Sequence, residues 1–249
     1  MQIKTIWTEQ VTVKSYETDF QERWRPACVF QVMQEAAAHH AAHLGFDYAG
    51  MLAAGRVWIL SRVKVRFFAL PRLQEKVAIR TWPKGIQQKV FFMRDFELTT
   101  ADGKPVAAAT SAWILINPTA RRMLLPSALP VPVPDNEGLS ALDDVLERIH
   151  LPAGLAECFQ TRASYSSIDQ MGHVNNARYI EWITDCFPFV QYSQGGLDWL
   201  QINFVNEVKP GEEVAVAAEP CDGLPGQWAV QGTNQANGLL AFEASLGWK

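Results

Sequence analysis

No stretch of the 249 residues approaches the roughly eighteen consecutive apolar side chains of a membrane span, so no such helix is expected. The opening residues, Met1-Gln2-Ile3-Lys4-Thr5, lack an apolar core, and no secretory signal is predicted. Cysteines are few: Cys28, Cys158, Cys186 and Cys221, with no Cys-x-x-Cys spacing. Buried, reduced thiols in the cytoplasm are therefore expected. There is no Gly-x-Ser-x-Gly elbow, so a serine hydrolase triad is not supported. Phosphate-loop and dinucleotide-binding glycine patterns are missing too, and Gly195-Gly196 reads as a loop. A net charge of −4 gives no case for nucleic acid as a partner. No cofactor is implied.

What is present describes an ordinary globular chain. Hydrophobic residues make up 48%, enough for a substantial core, and nine Trp with thirteen Phe suit apolar cavities as well as cores. Gln10 to Tyr16 alternates like a strand. Pro26 opens a helix from Ala27 to Leu44, with Val29, Met33, Ala36, Ala37 and His40 near one face and Gly45 as its stop. Strands are predicted at Trp58–Phe68, Lys76–Pro83, Lys89–Thr99 and Pro105–Ile116, with Asp102-Gly103 as a hairpin turn. Four prolines between Leu125 and Asp135 read as an extended linker, and Leu139 to Ile149 as a short helix. The strand pattern resumes near Glu157.

The second half repeats the first. Asp169 answers Asp19 at an offset of 150, each between a strand and a helix. The Arg72–Ile79 stretch is answered by Pro210–Val216, and Gly103–Trp113 by Gly238–Trp248. Several matches in one order indicate a duplicated unit of one helix plus an antiparallel sheet. The expected division is residues 1–130, a Pro-rich linker at 131–155, and residues 156–249.

The two loops differ in chemistry. After Asp19 come Glu22-Arg23-Trp24-Arg25-Pro26, whereas Asp169-Gln170-Met171-Gly172-His173-Val174-Asn175-Asn176 puts an acid, an imidazole and two carboxamides directly before a helix. Tyr165 to Ile168 reads as extended, Asn175 or Asn176 as the N-cap, and Tyr179, Trp182, Ile183 and Cys186 as the apolar face up to Pro188. A helix start offers unpaired N–H groups and partial positive charge, suited to an oxyanion. Asp169 or His173 can orient or deprotonate a water. Glu35, His39 and His43 share a helix face, but their order is not His-Glu-x-x-His, and no metal site is predicted. Cys186, two turns beyond the loop, is read as core.

This loop resembles the signature of hot-dog-fold thioesterases, most of all the acyl-acyl-carrier-protein (acyl-ACP) thioesterase family. The family pattern is Asp-x-Asn-x-His-Val-Asn-Asn-x-x-Tyr-x-x-Trp. Asp169, His173, Val174, Asn175, Asn176, Tyr179 and Trp182 match it, while Met171 stands where the family has Asn. In the first half, Tyr16-Glu17-Thr18-Asp19-Phe20, Trp58-Ile59-Leu60-Ser61-Arg62, Arg94-Asp95-Phe96-Glu97 and Thr110-Ser111-Ala112-Trp113 resemble the family's amino-terminal unit.

The resemblance implies an α+β fold of two tandem hot-dog units, each an antiparallel sheet wrapped around a central helix. The first would hold the acyl chain and the second would be catalytic. It implies hydrolysis of acyl-ACP to free fatty acid, with acyl carrier protein carrying a fatty acyl chain as the partner. Asp169 and His173 are the expected catalytic residues. Glu207 matches the family's strand acid, with a surface pair to Lys209 as the alternative role. Val174, Asn175 and Asn176 would position the oxyanion through backbone N–H groups. General-base attack by water and direct attack by Asp169 both stay open, as do monomer and homodimer. Substrate-binding residues are not assigned. Because acyl carrier protein is acidic, Arg121, Arg122, Arg178 and Lys209 are candidate docking residues. An acyl-CoA thioesterase and a non-catalytic acyl-thioester-binding module are the alternatives.

Overall fold

The computed structural model describes residues 3–143, 146–152 and 154–249. The chain divides into two compact units, Met1–Trp24 with Gln31–Leu146, and Arg25–Phe30 with Glu147–Lys249. The strands of the first are β1 (Trp7–Thr12), β2 (Val57–Phe67), β3 (Lys76–Gln87), β4 (Phe91–Thr100), β5 (Pro105–Asn117) and the short β6 (Arg122–Leu124). They lie in the order β1-β3-β4-β5-β2, all pairs antiparallel, with β6 on β5. Those of the second are β7 (Glu157–Arg162), β8 (Leu197–Phe204), β9 (Glu213–Pro220), β10 (Gln227–Asn234) and β11 (Leu240–Trp248). Their order, β7-β9-β10-β11-β8, is the first unit's order repeated strand for strand.

Each sheet carries a helix. Helix α1 (Pro26–His43) buries Val29, Met33, Ala36, Ala37 and His40, the face its periodicity predicts. A short α2 (Tyr48–Ala53) follows, capped by Asp47, which accepts a hydrogen bond from the Gly50 N–H at 2.9 Å. Phe46, Met51, Phe92 and Leu115 form a core cluster against which Ala41, Leu44, Trp58 and Trp113 pack, so the end of α1 is seated on β2, β4 and β5.

In the second unit, α3 (Asn176–Asp185) buries Ala177, Tyr179, Ile180, Trp182 and Ile183. Tyr179 meets Phe204 of β8 and Phe242 of β11 edge-on, with ring centroids 5.6 and 5.5 Å apart. Burying Ile180 and Ile183 completely contributes roughly 1.5–3 kcal/mol each. Helix α4 (Phe189–Gln194), unforeseen in the sequence, is seated by Tyr192 against Trp248. Gly232 is required in β10 because a Cβ there would collide with the buried Phe242 ring.

Several local details differ from expectation. The described residues between Leu139 and Ile149 form no helix, and Asp144 and Val145 lie outside the described residues. There the backbone serves buried polar groups instead: the Ala141 N–H donates to Asp95 Oδ2 (2.8 Å) and the Leu139 carbonyl accepts from Trp82 Nε1 (3.3 Å). The first strand ends at Thr12, and Ser15–Glu17 is a 3₁₀ turn, as is Tyr165–Ser167 where an extended approach was expected. Among the Pro-rich residues, Pro126–Ala128 form a 3₁₀ turn, and Ala128, Leu129 and Val133 pack on the core cluster of the first unit. No helix of the described residues is long and apolar enough to cross a membrane.

Candidate active site

The polar loop is built by backbone bonds at its two ends. An antiparallel bridge between Ile168 and Val174 closes it. Inside, the Asp169 N–H donates to the His173 carbonyl (2.9 Å) and the Gly172 N–H to the Asp169 carbonyl (3.0 Å). Gly172 has φ +79°, a conformation that costs other residues strain, which is why the tight turn carries glycine. Asp169 Oδ1 accepts from the Met171 N–H at 2.8 Å, so the acid braces its own loop. Asn175 is the N-cap of α3: its Oδ1 accepts from the Ala177 N–H at 3.0 Å.

Against this loop comes the chain beyond β8. The Val174 N–H donates to the Val208 carbonyl at 3.1 Å. That bond sets Glu207 beside His173, with 3.3 Å between His173 Nε2 and Glu207 Oε2. The two side chains are 33% and 38% exposed, so water reaches the pair. A contact this wet adds little stability, and its value lies in where it places the ring against the carboxylate. A proton on Nε2 facing the carboxylate would leave the lone pair on Nδ1.

Below the pair sits Tyr179, buried on α3. Burial pushes its hydroxyl well above the usual phenol range, a backbone hydrogen bond at Val208 offsets part of this, and the charges of Glu207 and Asp169 add to the rise. Tyr179 therefore stays a neutral phenol, its ring packed on Phe204 and Phe242. The sequence marked Tyr179 as part of the apolar face and as a match to the family pattern, with no role for its hydroxyl. A tyrosine rather than phenylalanine at a buried position was the available signal, since a buried hydroxyl needs a partner.

The structure thus gathers Asp169, His173 and Glu207 with the N-terminus of α3 inside the second unit. Of the three positioning residues, two have their N–H groups in use: Val174 binds Val208, and the Asn175 N–H donates to the Ser167 carbonyl at 2.9 Å. Among the described residues the Asn176 N–H takes no such partner, and it stands at the positive end of the helix.

The first unit holds the same loop with other chemistry. The Asp19 N–H donates to the Arg23 carbonyl (2.8 Å) and the Glu22 N–H to the Asp19 carbonyl (3.0 Å). Asp19 Oδ1 accepts from the Gln21 N–H at 2.8 Å, and Glu22, at φ +60°, occupies the slot of Gly172. Arg23 stands where His173 does, 3.1 Å from Asp19 Oδ2. A guanidinium never gives up its proton at ordinary pH, so this loop has no base at the position of His173.

The other candidates separate. His39 Nδ1 lies 2.9 Å from Glu9 Oε2, and His43 Nε2 accepts from the Lys4 N–H at 3.1 Å. No group of three His, Cys, Asp or Glu among the described residues is placed to hold a metal. Arg121 and Arg122 belong to the first unit, Arg178 and Lys209 to the second, and Arg178 pairs with Glu181 at 2.7 Å.

Comparison with known proteins bears on both units. The acyl-ACP thioesterase N-terminal domain model matches residues 4–125, and the corresponding C-terminal domain model matches residues 155–242. The chain is 23% identical over 204 residues to the chloroplastic oleoyl-acyl carrier protein thioesterase 2 of Arabidopsis thaliana, covering 73% of this chain and 54% of that one. It is 24% identical over 222 residues to the chloroplastic palmitoyl-acyl carrier protein thioesterase of Gossypium hirsutum, covering 81% and 52%. It thus spans about half the length of these curated relatives.

Among solved structures, an acyl-ACP thioesterase from Bacteroides thetaiotaomicron superposes with a TM-score of 0.81 at 24% identity, covering 98% of each chain. The 12:0-ACP thioesterase from Umbellularia californica gives 0.80 at 18%, covering 99% of this chain and 98% of that one. These likenesses show the fold, two tandem hot-dog units.

Proposed function

The chain belongs to the acyl-ACP thioesterase family, and from that premise we propose that it hydrolyses the thioester of a fatty acyl chain on acyl carrier protein, releasing free fatty acid. The observation that carries this reading is the His173–Glu207 pair at 3.3 Å beside the start of α3. It supplies a base next to a site of positive potential.

In the proposed reaction the thioester carbonyl oxygen takes the Asn176 N–H and the helix start. His173 Nδ1 removes a proton from a water, whose oxygen attacks the carbonyl carbon. Glu207 stabilises the imidazolium that forms. Asp169, braced by the Met171 N–H, holds the water at one face of the planar carbonyl. Collapse of the tetrahedral oxyanion expels the thiolate of the carrier's prosthetic arm, and the imidazolium returns its proton to that sulfur. The fatty acid leaves as the carboxylate. We assign the acyl chain to the first unit, whose loop has Arg23 in place of the imidazole. The four reduced cysteines support the cytoplasm as its compartment.

Thiol release from a panel of acyl-ACPs and acyl-CoAs tests this, with Asp169→Ala as control. Release from acyl-ACP that the substitution abolishes is the expected result. Release confined to acyl-CoA would replace the carrier, and tight acyl-ACP binding with no turnover would make the chain a binding module.

A further inference from the structure

Two sets of reactive side chains take no part in the proposed reaction. One is the cysteines, all reduced but not all buried as their scattering suggested: Cys28 is buried, Cys186 and Cys221 are partly exposed, and Cys158 is exposed. The other is a cation inside the first unit, Arg94 on β4, which is only 9% exposed. Its Nη1 spends both hydrogens within the protein, one on His40 Nδ1 of α1 at 3.0 Å and one on Thr81 Oγ1 of β3 at 3.1 Å. Thr81 gives its own hydrogen to the Asp95 carbonyl at 2.8 Å, so it is fixed as an acceptor. Among the described residues nothing takes the Nε hydrogen or those of Nη2, and no carboxylate pairs with the guanidinium. The acids beside it on the strand are committed elsewhere. Asp95 points to the opposite face and holds Lys84 Nζ at 2.9 Å, and Glu97 holds Arg80 at 2.7 Å.

A buried charge without a counter-charge is costly. Burial lowers the pKa of Arg94 from 12.5 to about 10, so the guanidinium is still charged near neutral pH. The duplicated unit shows that the fold itself does not need this charge. Ser111 lies opposite Arg94, whereas its counterpart in the match of Gly103–Trp113 to Gly238–Trp248 is Leu246, which lies opposite Trp228. The cation therefore belongs to the first unit alone.

We propose that the free Nε–Nη2 edge of Arg94 is a carboxylate-binding site inside the first unit. The two N–H groups of that edge run parallel and match the two oxygens of a carboxylate. His40 and Thr81 hold the other end of the fork, so the edge is already oriented before a ligand arrives. One negative charge balances one guanidinium, whereas a phosphate dianion would leave a charge uncompensated in a buried place. With 9% of its surface exposed, Arg94 is still reached from solvent. Two sources share this head group, a small organic acid and a free fatty acid. The site stands on the first unit and does not rest on the proposed reaction.

The test uses the full chain with isotope-labelled arginine, near neutral pH. Sodium acetate and sodium dodecanoate are the probes, with sodium phosphate as the comparison. The Nε–H resonance missing from Arg94→Lys is that of Arg94. A carboxylate is expected to move it downfield to saturation and to raise the melting temperature by about 4 °C at a tenfold excess over its dissociation constant. Arg94→Lys keeps the charge, loses the fork, and should lose that rise. A response to acetate supports the site with small acids as its source, and a response to dodecanoate alone supports it with fatty acids as the source. Crystal structures of the parent chain with each carboxylate read the same edge without any variant, and planar density on Nε and Nη2 is expected. A resonance that neither carboxylate moves, one that phosphate moves as far, or only water on that edge in both crystals would overturn the proposal.

Discussion

Met171 holds the position at which a carboxamide would complete the loop, and its side chain offers no useful hydrogen bond to water or to a carbonyl. Its backbone N–H is already committed to Asp169, so the residue contributes structure and no chemistry. The duplicated loop carries Gln21 at the same place, so the turn itself accepts an amide side chain. Met171→Asn is expected to raise kcat on the order of tenfold, the lower end of what one well-placed donor contributes. Single-turnover rates on one acyl-ACP measure it, and an unchanged rate would remove the missing amide as an explanation for anything.

Buried His40 offers a second test at this scale. Arg94 Nη1 donates to its Nδ1 at 3.0 Å, and its Nε2 donates to the Lys4 carbonyl at 2.9 Å, so the ring is held neutral. Burial lowers its pKa from 6.5 to about 4; the Lys4 carbonyl opposes this, and the charges of Arg94 and His43 reinforce it. The unfolded chain takes up a proton as pH falls through 6.5, and the folded chain does not until about 4. The stability present above pH 6.5 is therefore lost progressively down to about 4 and constant below. His40→Gln should show a smaller drop in melting temperature than the parent between those two pH values. Equal drops would assign the acid lability elsewhere.

Among the elements, α3 links stability to chemistry, because its cap and its proposed oxyanion donor are neighbours. Asn175→Ala removes the bond to the Ala177 N–H and should cost about 1 kcal/mol in urea unfolding. It should also lower kcat more than it raises KM, since a frayed first turn misplaces the Asn176 N–H. Loss of stability with unchanged kcat would separate the helix start from catalysis. The sequence made this helix legible because its signals are local: an Asn cap, a period of 3.6 and a terminal proline. The central helices, most strands and the duplication were legible for the same reason, and the repeated strand order is its structural counterpart.

What stayed hidden was set by tertiary contact. Residues 139–143 carry helix-forming composition, but their backbone groups satisfy Trp82 and Asp95 and so leave the helix unmade. Val174 and Asn175 looked like oxyanion donors, yet their N–H groups bind Val208 and Ser167, partners far along the chain or across the loop. Glu207 could be matched to a family position, but only the Val174–Val208 bond puts it beside His173.

For the whole molecule the question is charge. The net charge is −4, and the proposed partner is acidic, so association must rely on local cations against an unfavourable overall field. Arg122 and Lys209 are exposed, and they lie on different units, so their contributions are measured one at a time. Arg122→Glu and Lys209→Glu should each raise KM for acyl-ACP about fivefold at low salt, the scale of one exposed ion pair. The difference from the parent should shrink as ionic strength rises and the field is screened. Acyl-pantetheine, which carries the thioester without the acidic protein, should show no change in KM or kcat. That control matters for Lys209, two residues from Glu207, because a rate change on acyl-pantetheine would report a disturbed His173–Glu207 pair rather than weakened docking. If KM for acyl-ACP and its salt dependence are untouched in both variants, docking does not use these cations.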